Sequence, residues 1–146
     1  MSDYKKLSVW RKAHALALNV HRVAARIRGS EYASLRSQMM RAAMSIPTNI
    51  VEGTGQRSGK EFGRFIRFAL NSTSELEYHS IVARDIKAIK ASDFDSLSTQ
   101  TIEVRKMLHG LLKRVMASTR TPPSEVRRSR DGVPQNATEE SLGVVN

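Results

Sequence analysis

Apolar residues recur along this chain at alternating steps of four and three. That spacing aligns one face of a helix and, held over several turns, makes a bundle seam. Four segments carry it. Val9, Ala13, Leu16, Val20, Val23 and Ile27 predict a first helix over about 9–28. Leu35, Met39, Ala42, Ile46, Asn49 and Gly53 repeat the steps and predict a second over 31–53. Phe62, Ile66, Ala69, Thr73, Leu76, Ser80 and Ala83 predict a third over 58–90, and Leu97, Thr101, Val104, Leu108, Leu111 and Val115 a fourth over 93–118. No segment alternates residue by residue as a half-buried strand does. The connections are short, which favours an all-α, antiparallel up-down-up-down four-helix bundle.

Local signals punctuate these elements. Ser8 can cap the first helix, and Gly29-Ser30 breaks the pattern before the second. Pro47 falls inside the second seam, where it deletes the hydrogen bond to the Ala43 carbonyl and predicts a kink or local break. Gly53 and Gly55 end that helix. Ser58-Gly-Lys-Glu61 reads as a capping box opening the third, and Ser92-Asp93 as a cap with first-turn acids for the fourth. From Thr119 onward periodicity vanishes and three of the four prolines occur, so 119–146 is expected to be a disordered tail.

A second apolar set lies off the seams: Trp10, Ala17, Phe65, Phe68, Ile102, Met107 and Leu112. It either widens the core stripe of a monomer or supplies contacts for a homo-oligomer, and the oligomer is the expectation.

At 146 residues the chain fits one domain. It contains no cysteine, which excludes disulfides and thiolate chemistry and suits a reducing cytoplasm. The first residues lack the apolar run of a signal peptide, and no stretch approaches the roughly 20 apolar residues that span a bilayer. A cytoplasmic protein without membrane contact is expected. The formal net charge is +10. In the tail Arg120, Arg127, Arg128 and Arg130 are balanced by Glu125, Asp131, Glu139 and Glu140, so the whole excess belongs to the bundle. A body this basic attracts polyanions.

The positive residues form patterns. Arg57, Lys60, Arg64 and Arg67 recur at helical spacing along one face of the third helix. Arg22 and Arg26 pair on the first, and Lys106 and Lys113 lie one heptad apart on the fourth. Such stripes suit contact with a phosphate backbone, which carries affinity without sequence information; a merely solvated face is the alternative. Aromatic residues for base stacking are few.

Other chemistry finds little support. The loop Gly53-Thr-Gly-Gln-Arg-Ser-Gly-Lys60 resembles a phosphate-binding loop but has three residues, not four, between Gly55 and Gly59, and Glu61 follows the lysine. Glu75 and His79, or His14 and His21, are too few to suggest a metal site, so neither metal nor cofactor is expected. No catalytic constellation is visible. Ser45, Asn49, Glu52 and Glu75 are polar residues on or near seams, which predicts a hydrogen-bonded network joining the second and third helices with Arg41.

The run Arg41-Ala-Ala-Met-Ser-Ile-Pro-Thr-Asn-Ile-Val-Glu-Gly53, followed by Ser58-Gly-Lys-Glu-Phe-Gly-Arg-Phe65 and Ser72-Thr-Ser-Glu-Leu-Glu77, closely resembles a bacterial four-helix bundle family. Its founding members are encoded in intervening sequences of large-subunit ribosomal RNA genes. Leu7-Ser-Val-Trp10 and Lys106-Met-Leu-His-Gly-Leu-Leu112 match its two ends, so the resemblance covers about 7–116. It implies homopentamers with basic surfaces. It also implies kinship with retroelement accessory variability proteins, which assist reverse transcriptases by binding nucleic acid. Arg41, Ser45, Pro47, Asn49, Glu52, Gly53, Phe62, Arg64, Phe65, Ser72 and Glu75 match the family motif. Val51, Asn71 and Gly29 depart from it, standing where alanine, glycine and proline are usual.

The expected function is therefore a non-enzymatic homo-oligomer that binds RNA or DNA through phosphate contacts. A scaffold for an acidic protein partner is the alternative.

Overall fold

The computed structural model describes residues 3–119 as four α-helices, with no strand among the described residues. Helix α1 spans Ser8–Ala24, α2 Ala33–Thr54, α3 Gly59–Asp85 and α4 Ala91–Ser118. Single 3-10 turns at Tyr4–Lys6 and Ser30–Tyr32 precede α1 and α2. Apart from Thr119, the tail expected to be disordered lies outside the described residues. Each helix packs against two neighbours, α1 on α2 and α4, α3 on α2 and α4, and none across a diagonal. No helix among the described residues is long and apolar enough to cross a membrane.

The core is the four seams. Every seam residue is buried except Leu35, Asn49, Phe62 and Val115, which are half-buried. The polar seam positions are accommodated by their own helices. Thr73 Oγ1 donates to the Leu70 carbonyl, Ser80 Oγ to that of Leu76 and Thr101 Oγ1 to that of Leu97, at 2.7–2.8 Å. A hydroxyl satisfied in this way enters an apolar core without the cost of an unpaired donor.

The ends of the helices differ from expectation in five places, the end of α3 most of all. Ser8 is the first residue of α1 rather than its cap, and Leu7 in the cap position has no side chain to offer. Instead the Arg11 guanidinium donates to the carbonyls of Lys5 and Lys6, fastening the incoming turn. Helix α1 stops at Ala24 rather than Arg28, but Arg26 and Ile27 continue the coil with 3-10 bonds to Val23 and Ala24, so Ile27 stays in the core. At the start of α3, Ser58 Oγ accepts from the Glu61 amide at 3.2 Å. The reciprocal half of the capping box is missing because the Glu61 carboxylate faces Arg64. Helix α4 begins at Ala91 behind Lys90, with no side-chain cap.

Helix α3 ends at Asp85, before the expected Lys90, in a motif hidden from sequence patterning. Lys87 adopts φ +61°, its amide bonds to the Arg84 carbonyl, and the Ala88 amide reaches back to Ala83 at 2.8 Å. This is the paired bonding of a Schellman cap with lysine where glycine is customary. Pro47 is the other surprise. Helix α2 runs through it without a break, and the pyrrolidine ring is buried. Side chains of the next turn fold back on it: Thr48 Oγ1 donates to the Met44 carbonyl and Asn49 Nδ2 to that of Ser45, both at 2.8 Å.

The polar link between α2 and α3 is narrower than expected. Ser45 Oγ lies 2.5 Å from Ser72 Oγ, and Asn49 Nδ2 reaches Ser45 Oγ at 3.3 Å. Ser72 also donates to its own helix, at the Phe68 carbonyl. Arg41, Glu52 and Glu75 stand outside this cluster. All three are exposed, and Arg41 bonds only to Gln38 on its own helix. Each lies one step off the seam, where a long charged side chain can turn to water instead of paying desolvation.

Two stability measurements follow from these contacts. Lys87→Gly should raise the unfolding free energy by about 1 kcal/mol in urea, by removing the left-handed strain on a residue with a Cβ. No gain would mean that the lysine is unstrained. Ser72→Ala should cost about 1 kcal/mol, and much less in a Ser45→Ala background, because the two hydroxyls share one contact. Strictly additive losses would disprove the link.

Candidate nucleic-acid interface

One end of the bundle is assembled from the start of α1, the turn between α2 and α3, and the end of α4. Glycines make the assembly tight. A Cβ on Gly53 would stand 2.6 Å from the Phe62 ring, so glycine allows the ring to lie directly on the backbone of α2. Gly59 sits against Thr119 and the Val115 carbonyl, and Gly63 against Met116 Sδ. The turn carrying Arg57 is thus held between α2 and the last turns of α4. Within it, the Gly55 and Gln56 amides bond to the carbonyls of Glu52 and Gly53.

This end collects the charge. It carries Lys5, Lys6, Arg11, Lys12, Arg57, Lys60, Arg64, Arg67, Lys106, Lys113 and Arg114 against Asp3, Glu52, Glu61 and Glu103, the last paired with Lys12. Eleven cations against four carboxylates leave an excess of seven, most of the net +10 of the chain. The α3 stripe is fully outside: Arg57, Lys60, Arg64 and Arg67 are all exposed. Arg64 pairs with Glu61 at 3.5 Å and lies 5.3 Å over the Phe68 ring. The other three make no ion pair among the described residues. Lys106 and Lys113 are exposed on α4 at the same end and make no such pair either.

Arg22 and Arg26 are also exposed, but they stand at the far end. Arg22 is engaged there by Asn19 at 2.8 Å and by Asp93 at 3.4 Å. Sequence spacing identified these two as a pair but could not show that they lie at the end of α1 away from the α3 stripe. It also passed over Arg114 and the Lys5–Lys6 turn, which the packing of α1 on α4 brings to the basic end.

Between α1 and α2 runs a groove of about 490 Å³ lined by Trp10, His14, Ala17, Leu18 and His21 on one side and Met40, Met44, Pro47, Thr48 and Val51 on the other. Trp10 and His14 stack with ring centroids 5.1 Å apart, while Trp10 Nε1 is buried without a partner. Leu18 and Met44, on opposite walls, are each 58% exposed. Of the off-seam apolar residues, Trp10, Ala17, Met107 and Leu112 pack against the core and widen it, whereas Phe68 and Ile102 remain exposed. No group of three or more His, Asp or Glu side chains among the described residues is placed to hold a metal.

The described residues form an all-α bundle of four helices with a basic end. The family of 23S rRNA-intervening sequence proteins matches residues 5–110, and the chain belongs to it. The fold has a counterpart in a crystal structure from Bacteroides thetaiotaomicron, described as a protein of unknown function from the S23 ribosomal protein family. The two share 22% identity and a TM-score of 0.68, over 72% of this chain and 98% of the other. None of the curated proteins compared matches the chain.

Proposed function

We propose that the protein is a non-catalytic, cytoplasmic module that binds RNA or DNA at the basic end of the bundle through phosphate contacts, and that it acts as a homo-oligomer. The observation that carries the reading is the concentration of charge: an excess of seven positive side chains at one end of the bundle, with Arg57, Lys60 and Arg67 free of ion pairs among the described residues. Cations already paired with neighbouring carboxylates neutralise few phosphates and so release few of the counterions condensed on a nucleic acid; unpaired ones release more.

The helices are proposed to run alternately up and down. Ion pairs from Lys12 to Glu103 and from Arg22 to Asp93 support this, since the partner moves back along α4 as α1 advances. The groove between α1 and α2 is the proposed assembly surface. Its apolar walls, with Leu18 and Met44 exposed on either side, favour a protein contact over a polyanion. Family resemblance sets the expectation of five copies.

Binding of an unrelated RNA and an unrelated DNA should be measurable at low salt, and should weaken steeply as salt rises. Replacing Arg57, Lys60, Arg64 and Arg67 together by alanine should reduce affinity for both by at least about tenfold with the helical signal unchanged. Undetectable binding, or binding indifferent to salt, would refute the nucleic-acid reading and leave an acidic protein partner as the alternative. Light-scattering mass after size exclusion should give a multiple of the chain mass, and Leu18→Glu with Met44→Glu should return it to the monomer. A wild-type monomer at micromolar concentration would sink the assembly.

A further inference from the structure

Four glycines lie within helices at the basic end, and packing explains three of them, Gly59 against Thr119 and the Val115 carbonyl among them. Gly53 admits the Phe62 ring and Gly63 admits Met116. Gly110 is different. It stands in the interior of α4, where glycine is unfavourable relative to alanine. A Cβ there would meet only Arg114 Nη1, at an ordinary 3.6 Å. Nothing inside the described chain requires the bare backbone.

Gly110 lines a cleft of about 360 Å³ between the first residues of α1 and the face of α4, within the size range of small-ligand sites. Leu7, Val9, Met107 and Leu111 provide its apolar surface. Lys106 and Arg114 lie one turn before and one turn after Gly110, so both cations project along the same face. Neither makes an ion pair among the described residues. The cleft therefore combines an apolar floor, a half-buried stretch of backbone without a side chain and two flanking positive charges. The matching ligand is flat, largely apolar in its body and anionic at both edges. A nucleotide unit of a single strand has this character: a planar base linked on either side to phosphates. A duplex keeps its bases stacked inside and cannot present one to the cleft.

We propose that this cleft accepts one unstacked base of a single-stranded nucleic acid. The base lies over the bare backbone at Gly110 and against the Arg114 guanidinium plane, while Lys106 and Arg114 receive the adjacent phosphates. The proposal rests on the functional reading above and adds a preference for single strands, which a phosphate stripe alone does not supply. Guanidinium planes and apolar side chains hold splayed bases in this way without reading sequence.

The test is fluorescence anisotropy of the full chain, at fixed low salt, with labelled oligouridine and with a double-stranded RNA of the same length. Wild type should bind the single strand more tightly. Gly110→Leu, which fills the cleft, should weaken single-strand binding by about tenfold and leave duplex binding unchanged. Gly110→Ala favours the helix and so secures a folded variant; it should give a smaller loss in the same direction. Circular dichroism confirms the helical content of each. Unchanged single-strand affinity in the folded variants, or an equal loss on both ligands, overturns the cleft while leaving the basic-end reading intact. If neither RNA binds the wild type, that reading fails and the cleft falls with it. Polyglutamate binding that falls with Gly110→Leu while oligouridine binding does not assigns the cleft to an acidic peptide and overturns the proposal.

Discussion

Phe62 lies against the backbone of α2 at Gly53, and the placement of the basic end depends on that contact. Burial of the ring brings the end of α2 and the start of α3 together, leaving only Gly55 to Ser58 to join them. Arg57 is confined to that turn. From there the rigid α3 carries Lys60, Arg64 and Arg67 outward at fixed spacing, and Gly59 and Gly63 dock the same segment on the last turns of α4. Charge of one sign is normally spread over a surface to limit self-repulsion. Here packing gathers it, and the repulsion is the cost of a surface that a polyanion can neutralise.

The interior of the described bundle holds this arrangement in place. Buried hydroxyls on α3 and α4 are satisfied by carbonyls of their own helices, and the polar bridge between α2 and α3 is reduced to Ser45, Asn49 and Ser72. Such a core fixes the relative position of the helices. What varies is outside: an apolar groove between α1 and α2, and a basic end about the α2–α3 turn. The two surfaces differ enough in character to serve two partners at once.

Much of this was legible in the residues. The 4-3 spacing of the seams identified nearly every core position, because a seam is a local property of a helix and survives whatever the helix packs against. Helix ends were less accessible. Lys87 in a left-handed cap carries no compositional signal, and Arg11, not Ser8, fastens the start of α1. Pro47 signalled a kink or a local break; there is no break, and the flanking turn stays helical with Thr48 and Asn49 donating to the carbonyls beneath them. Glu52 and Glu75 were expected to join the α2–α3 network because they sit next to seam positions; one step of about 100° around a helix is enough to put a carboxylate in water. The basic stripe on α3 was visible as spacing within one helix. Its union with Lys106, Arg114 and the α1 start, and its separation from Arg22 and Arg26, depend on which ends meet, and spacing along one helix does not encode that.

Photo-crosslinking of bound RNA to the protein, followed by mapping of the modified peptides, tests the central claim most directly. Crosslinks are expected on the segments 5–12, 57–67 and 106–114, which meet at one end of the bundle. Crosslinks concentrated instead around Arg22, Arg26 and Arg84, or on Leu18, Met40 and Met44 of the groove between α1 and α2, would contradict it.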